Sequence, residues 1–329
     1  MPHSFARSRI TLLALGLSAC LIPAIPLAAQ GSAPSAPVAD WHPPADKPTR
    51  PIWPTGAPGP KTATGPEHDT TKPTDPLIAG KPLLRIGDVA TPTITLYAAK
   101  SAGNAGPAVV VFPGGGYSIL AIDLEGTKVC DWLNSIGVNC VLLKYRVPGS
   151  GPYPKSAAAL QDAQRAMGLV RAHAAEWHID PQRIGVLGFS AGGHLAAALS
   201  THFDQRLYPA VDAADRLSCR PDFAIIIYPG YLALSGKNFE FNPDIPVTAS
   251  TPPAFLVQAE DDPVHVENVI EYFMELKKAG VPAELHVYAK GGHGYGLRPT
   301  DLPVTHWPEL AQTWLQTIGV LRGSAVSPR

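Results

Sequence analysis

From residue 83 onward, short apolar runs alternate with longer stretches of helical period. Residues 93–97, Thr-Ile-Thr-Leu-Tyr, alternate as a half-exposed strand does. Residues 108–112, Ala-Val-Val-Val-Phe, read as a buried strand, and 139–144, 184–187, 223–228, 255–258 and 283–288 predict further strands. Between them the spacing predicts helices over 127–136, 156–175, 264–279 and 307–321. In the second of these, Ala157, Leu160, Ala163, Met167 and Val170 fall on one face. Apolar strands alternating with helices predict βαβ units and a mostly parallel sheet covered on both faces. The fold class is therefore α/β, with one catalytic domain over residues 83–329. Residues 232–253 are irregular and proline-containing, and are expected to cap a pocket.

The chain before residue 83 is different. Residues 30–82 are rich in Pro, Ala, Thr and Gly and are expected to be extended or disordered, with order beginning at Trp53. Residues 1–29 read as a signal peptide: Arg7 and Arg9 lead an apolar run over 10–19, and Ala28-Ala29 offers a cleavage site. A lipoprotein signal competes, because Leu17-Ser18-Ala19-Cys20 resembles a lipobox and would leave Cys20 lipidated. Both readings predict export, to the periplasm, the medium or a lipid-anchored outer-membrane location. Pro23 and Pro26 interrupt the apolar run, so no membrane span is expected.

Composition narrows the partners. The 329 residues are 45% hydrophobic and 16% charged, with a net charge of −1, so nothing points to nucleic acid. Cys130, Cys140 and Cys219 show no metal spacing, and they read as small buried residues rather than as a bridge. No metal or organic cofactor is expected.

The candidate chemistry starts at Gly188-Phe189-Ser190-Ala191-Gly192, a G-x-S-x-G run between the strand at 184–187 and the helix-forming residues 195–199. A serine on so abrupt a strand-to-helix turn is the arrangement of a nucleophile elbow, whose flanking glycines avoid collision between strand and helix. The alternative is a serine that only caps the helix. His293 follows the strand at 283–288 within Gly291-Gly292-His293-Gly294. Asp261 and Asp262 follow the strand at 255–258, where active groups of open α/β sheets collect. Either aspartate suits the role of orienting the imidazole. The order serine, acid, histidine is that of α/β hydrolases. Oxyanion donors are expected from the backbone N–H groups of Ala191, Gly115 and Gly116. No lysine with a following Ser/Thr completes a phosphate loop after those glycines.

With these residues in view, the chain resembles the esterase/lipase branch of the α/β-hydrolase superfamily, and within it the secreted acetylxylan-esterase-like carbohydrate esterases of bacteria. The resemblance rests on Phe112-Pro113-Gly114-Gly115-Gly116-Tyr117, Glu125-Gly126, Lys144-Tyr145-Arg146-Val147, residues 160–166, residues 188–194, Asp261-Asp262-Pro263-Val264 and residues 291–294. It implies a Ser-His-Asp esterase that removes short acyl groups, acetyl above all, from plant polysaccharides or oligosaccharides through an acyl-enzyme. Its partner is then an acylated carbohydrate or another small ester. The loop after the acid departs from the family by being one residue shorter. Aligned from the strand the acid is Asp262, and aligned from Glu267-Asn268 it is Asp261. Related hydrolases place the acid three residues before a valine, which favours Asp261 ahead of Val264. Gln258 stands where the family often carries a histidine. A prolyl-oligopeptidase-type peptidase shares the triad order but usually carries a β-propeller for which this chain has no room. A lipase needs a long apolar lid.

Overall fold

The computed structural model describes residues 41–100 and 105–321. The segment read as a signal, Cys20 included, lies outside them. The elements in chain order are β1 (Thr49–Pro51), β2 (His68–Asp69), β3 (Ile86–Gly87), β4 (Thr93–Tyr97), β5 (Gly106–Phe112), α1 (Lys128–Ser135), β6 (Asn139–Lys144), α2 (Ala158–Ala172), β7 (Ile179–Phe189) and α3 (Ala191–Thr201). There follow β8 (Ala224–Ile227), β9 (Ala233–Leu234), β10 (Glu240–Phe241), β11 (Ala254–Ala259), α4 (Glu267–Lys278), β12 (Ala283–Tyr288) and α5 (Trp307–Thr317).

Eight strands form the central sheet in the order β1-β4-β6-β5-β7-β8-β11-β12. From β6 to β12 all pairings are parallel, and β4 joins β6 and β1 joins β4 antiparallel. β6, β8 and β11 are buried along their whole length, as strands covered on both faces must be. This is why they read as unbroken apolar runs rather than as alternating ones. The chain leaves β5 toward β6 on one side and returns to β7 on the other. The loops after β5 and β7 therefore diverge at a switch point, where open α/β sheets leave a crevice. No helix among the described residues is long and apolar enough to cross a membrane.

Two expectations need correction. The boundary at residue 83 cuts through the folded body, because β1, at residues 49–51, is a strand of the central sheet. Main-chain pairing and side-chain hooks order this proline-rich segment, and neither has a local signature. Trp53 is buried and donates its indole N–H to Asp162 Oδ1 at 2.7 Å. Arg165 Nε donates to the Ile52 carbonyl at 2.9 Å. Arg298 gathers the carbonyls of Ile78, Lys81 and Pro82 at 3.0, 2.7 and 2.7 Å. The second correction concerns Cys130 and Cys140, which are joined by a disulfide with Cα atoms 5.1 Å apart. Gly137, at φ 80°, ends α1 and turns the chain straight back into β6, which brings the two cysteines together. Cys219 is buried and free.

The irregular stretch after β8 folds as the β9–β10 hairpin. α3 carries His194, wholly buried, with Nδ1 2.8 Å from the Tyr117 hydroxyl and Nε2 without a partner among the described residues. Burial pulls this imidazole down from its ordinary 6.5 to about 3.

Two stability predictions follow from these contacts. Trp53→Ala removes an indole from the core together with its bond to Asp162, and urea unfolding should show a loss of about 3–5 kcal/mol. For His194, the unfolded chain takes up a proton below pH 6.5 that the folded chain refuses, so its contribution to stability falls as pH falls. Between pH 7 and pH 5 this loss amounts to about 2 kcal/mol, and it should be absent from His194→Gln in parallel urea titrations.

Candidate active site

Ser190 is the residue between the end of β7 and the start of α3, and its φ is +51°. That strained conformation is imposed by close packing. A Cβ on Gly188 would lie 2.0 Å from the Gly192 carbonyl oxygen, and a Cβ on Gly192 would lie 2.0 Å from that of Phe112. Strand and helix therefore touch backbone to backbone, and the turn between them pushes the serine side chain outward. Ser190 makes no side-chain capping bond to α3. Its Oγ lies 2.9 Å from His293 Nε2 instead.

The other ring nitrogen selects the acid. His293 Nδ1 lies 2.9 and 3.0 Å from the two carboxylate oxygens of Asp262. This corrects the expectation for Asp261. The two aspartates sit in the tight turn after β11, and their side chains diverge. Asp262 points inward, and its side chain is fully buried. Its Oδ1 also accepts from Val264 N at 2.7 Å, and its Oδ2 from Gln258 Nε2 at 3.0 Å. Asp261 points to the neighbouring loop and accepts from Gly291 N and Gly292 N at 2.9 and 2.8 Å. Those two amides, that of Gly292 foremost, hold its carboxyl below the usual range. Asp261 thus shapes the loop that carries His293 without touching the ring. The Asp-x-x-Val spacing misled because the turn sends the second carboxylate, not the first, inward to the imidazole.

The loop after β5 brings Gly114, Gly115 and Gly116 beside Ser190. Gly114 N is committed, donating to Glu125 Oε2 at 2.7 Å. Gly115 and Gly116 take φ values of 132° and 62°, and no acceptor among the described residues meets their N–H groups. Ala191 opens α3, so its N–H has no intrahelical partner. Sequence reasoning missed Glu125, Gln258 and Tyr228 as neighbours of the site. Tyr228 packs its ring edge-to-face on His293 at 4.9 Å. Two of them carried a signal: Glu125 within the Glu125-Gly126 pair that supports the family resemblance, and Gln258 as a polar residue inside an otherwise apolar strand.

Ser190 opens into a cavity of about 900 Å³ that Gly116 also lines. The β9–β10 hairpin contributes Leu234, Lys237 and Phe239, and Tyr153, Lys155 and Tyr231 complete the rim. The stretch expected to cap a pocket does line this one.

The comparisons agree with this geometry. A family model described as the alpha/beta hydrolase fold matches residues 109–247, from β5 through Ser190 to the hairpin. An acetylxylan esterase of Xylanibacter ruminicola is 34% identical over 206 residues, covering 58% of this chain and 41% of that protein. Endo-1,4-beta-xylanase B of Butyrivibrio fibrisolvens is 30% identical over 204 residues, covering 56% of this chain and 32% of that protein. The chain thus spans less than half the length of either curated relative. The crystal structure of an acetyl ester-xyloside bifunctional hydrolase from Caldicellulosiruptor lactoaceticus aligns with a TM-score of 0.65 at 36% identity, covering 83% of this chain and 97% of that one. Sheet order, elbow, family match and structural likeness converge, and the chain belongs to the α/β-hydrolase family.

Proposed function

We propose that the protein is an exported serine esterase that removes short acyl groups, acetyl above all, from plant polysaccharides or their oligosaccharides. The observation that carries this reading is the continuous relay from Ser190 Oγ to His293 Nε2 at 2.9 Å and from His293 Nδ1 to Asp262 at 2.9 Å. Ser190 Oγ attacks the acyl carbon while His293 Nε2 takes its proton. Asp262 holds the ring tautomer and stabilises the imidazolium. The charge that develops on the carbonyl oxygen is met by the N–H groups of Ala191, Gly115 and Gly116. Collapse of the tetrahedral adduct expels the sugar hydroxyl, which takes the proton back from His293. Water, deprotonated by the same nitrogen, then attacks the acyl-enzyme and releases the carboxylic acid and free Ser190.

The substrate class draws support from the names of the similar proteins, an acetylxylan esterase and an acetyl ester-xyloside hydrolase. It also draws support from a rim that mixes aromatic Tyr153, Tyr231 and Phe239 with charged Lys155, Lys237 and Asp244, surfaces suited to a sugar's apolar faces and hydroxyls. Export draws support from the signal-like N-terminus and from the Cys130–Cys140 disulfide, since such bridges persist in oxidising compartments.

Acetate release from acetylated xylan, measured beside p-nitrophenyl acetate hydrolysis, tests the reading. Wild type should act on both, and Ser190→Ala on neither; activity that survives Ser190→Ala would end the proposal. The two aspartates separate cleanly. Asp262→Asn should lower kcat by about 10⁴-fold, because the amide turns the imidazole to the wrong tautomer. Asp261→Asn should leave kcat close to wild type, and an equal loss in both variants would contradict the assignment of Asp262.

A further inference from the structure

We propose that Glu125 is a positioning residue that holds the oxyanion loop and the histidine loop in fixed relation to each other. The inference rests on the esterase reading above, in which no step uses this carboxylate. Glu125 belongs to a single π-helical turn, Asp123–Thr127, that precedes α1. Such turns re-aim one side chain out of the helical pattern and recur at functional sites. Here the turn sends a carboxylate into the interior, where it is 4% exposed. A charged group of that kind is retained only when its oxygens are satisfied.

Both oxygens are satisfied, each by a different wall of the site. Oε2 accepts from Gly114 N at 2.7 Å, in the loop that carries Gly115 and Gly116. Oε1 accepts from the Tyr228 hydroxyl at 2.8 Å, at the end of β8. That hydroxyl in turn accepts from Gly296 N at 3.1 Å, three residues past His293. The Tyr228 ring lies edge-to-face on His293 at 4.9 Å and on Tyr295 at 4.6 Å. One carboxylate thus ties together the loops after β5, β8 and β12. Gly114 is clamped as tightly on its other side. A Cβ there would lie 2.7 Å from Glu125 Oε2, 2.9 Å from the Ser190 Cβ and 2.6 Å from the Phe189 carbonyl oxygen. The backbone of the oxyanion loop is therefore pinned between the nucleophile and Glu125, and its height above Ser190 is set by this contact. Burial pushes the Glu125 carboxyl up, and the bonds from Tyr228 and Gly114 oppose it.

The chemistry of the site makes that relation matter. Oxyanion donors act only when they meet the oxygen as its charge develops, so a small displacement lowers kcat more than it weakens substrate binding. Glu125→Gln keeps the shape but replaces one accepting oxygen with a donor, which then faces either Gly114 N–H or the Tyr228 hydroxyl. Tyr228→Phe keeps the Gly114 contact and cuts the link to the histidine loop.

Steady-state kinetics on p-nitrophenyl acetate, with thermal unfolding in parallel, test the proposal. Glu125→Gln should lower kcat by about 10- to 100-fold with KM little changed, and Tyr228→Phe by less. The double variant should be no worse than Glu125→Gln alone, because both changes cut one bridge. A kcat that stays at the wild-type value in Glu125→Gln, or losses that multiply in the double variant, overturns the bridge. So does a kcat loss fully accounted for by a reduced folded fraction. Should Glu125→Gln not fold, Tyr228→Phe carries the test through the same kcat-against-KM readout. A wild-type protein inactive on every ester would sink the esterase reading instead. The rate at which a fluorophosphonate labels Ser190 then reports on the loop, slowed in Glu125→Gln if Glu125 positions it and unchanged if it does not.

Discussion

The contact on which the site depends is the one between β7 and α3, where two backbones meet with no side chain between them. Gly188 and Gly192 permit it, and Ser190 at φ +51° is its consequence. Ser190 cannot relax into an ordinary helical or extended conformation without separating strand from helix. The strain is held by the packing around it, since β7 is hydrogen-bonded between β5 on one side and β8 on the other. The topology then does the rest. The sheet order reverses at β5, so the glycine loop after β5 and the serine after β7 face one crevice. β11 and β12 deliver the acid and the histidine from the far side.

Three of the carboxylates near this crevice hold its loops or its histidine, and their surroundings give each a different task. Asp262 is dry, faces the imidazole and is steadied by Gln258 and the Val264 amide. Asp261 is at the surface, held by two glycine amides of the histidine loop and 3.6 Å from Lys290. Glu125 is dry but turned to neutral donors on the opposite wall. Proximity to the histidine is thus a poor guide to role. What distinguishes the three is which donors occupy each oxygen.

Most of the frame was legible in the primary structure, because buried parallel strands need unbroken apolar runs and the elbow needs its glycines. Strands 93–97, 139–144 and 283–288 fall where periodicity places them. The order of serine, acid and histidine was legible for the same reason, since each sits at the end of a recognisable strand. Asp262 was not, because two adjacent carboxylates differ only in the direction their shared turn sends them. Glu125 was visible as part of a motif, but its partners Gly114 and Tyr228 lie 11 and 103 residues away. Trp53 likewise finds Asp162 across 109 residues. Such pairings arise only once the fold has brought distant turns together. The Cys130–Cys140 bridge was misread because the tight reversal at Gly137 is a matter of backbone geometry rather than of cysteine count.

The short strand β1 also covers an edge of the central sheet. It covers β4, whose residues Thr-Ile-Thr-Leu-Tyr are uncharged, β-branched and aromatic, and would otherwise present a row of open N–H and C=O groups. β1 is itself a poor template, only three residues long, with a charged Arg50 at its centre and ending in Pro51, which has no N–H to donate. A chain trimmed back to residue 83 would keep every group of the relay and would uncover this edge. Its failure would then appear as strand-to-strand aggregation. The proline-rich segment thus replaces a long uncharged sheet edge with a short, charged and proline-ended one.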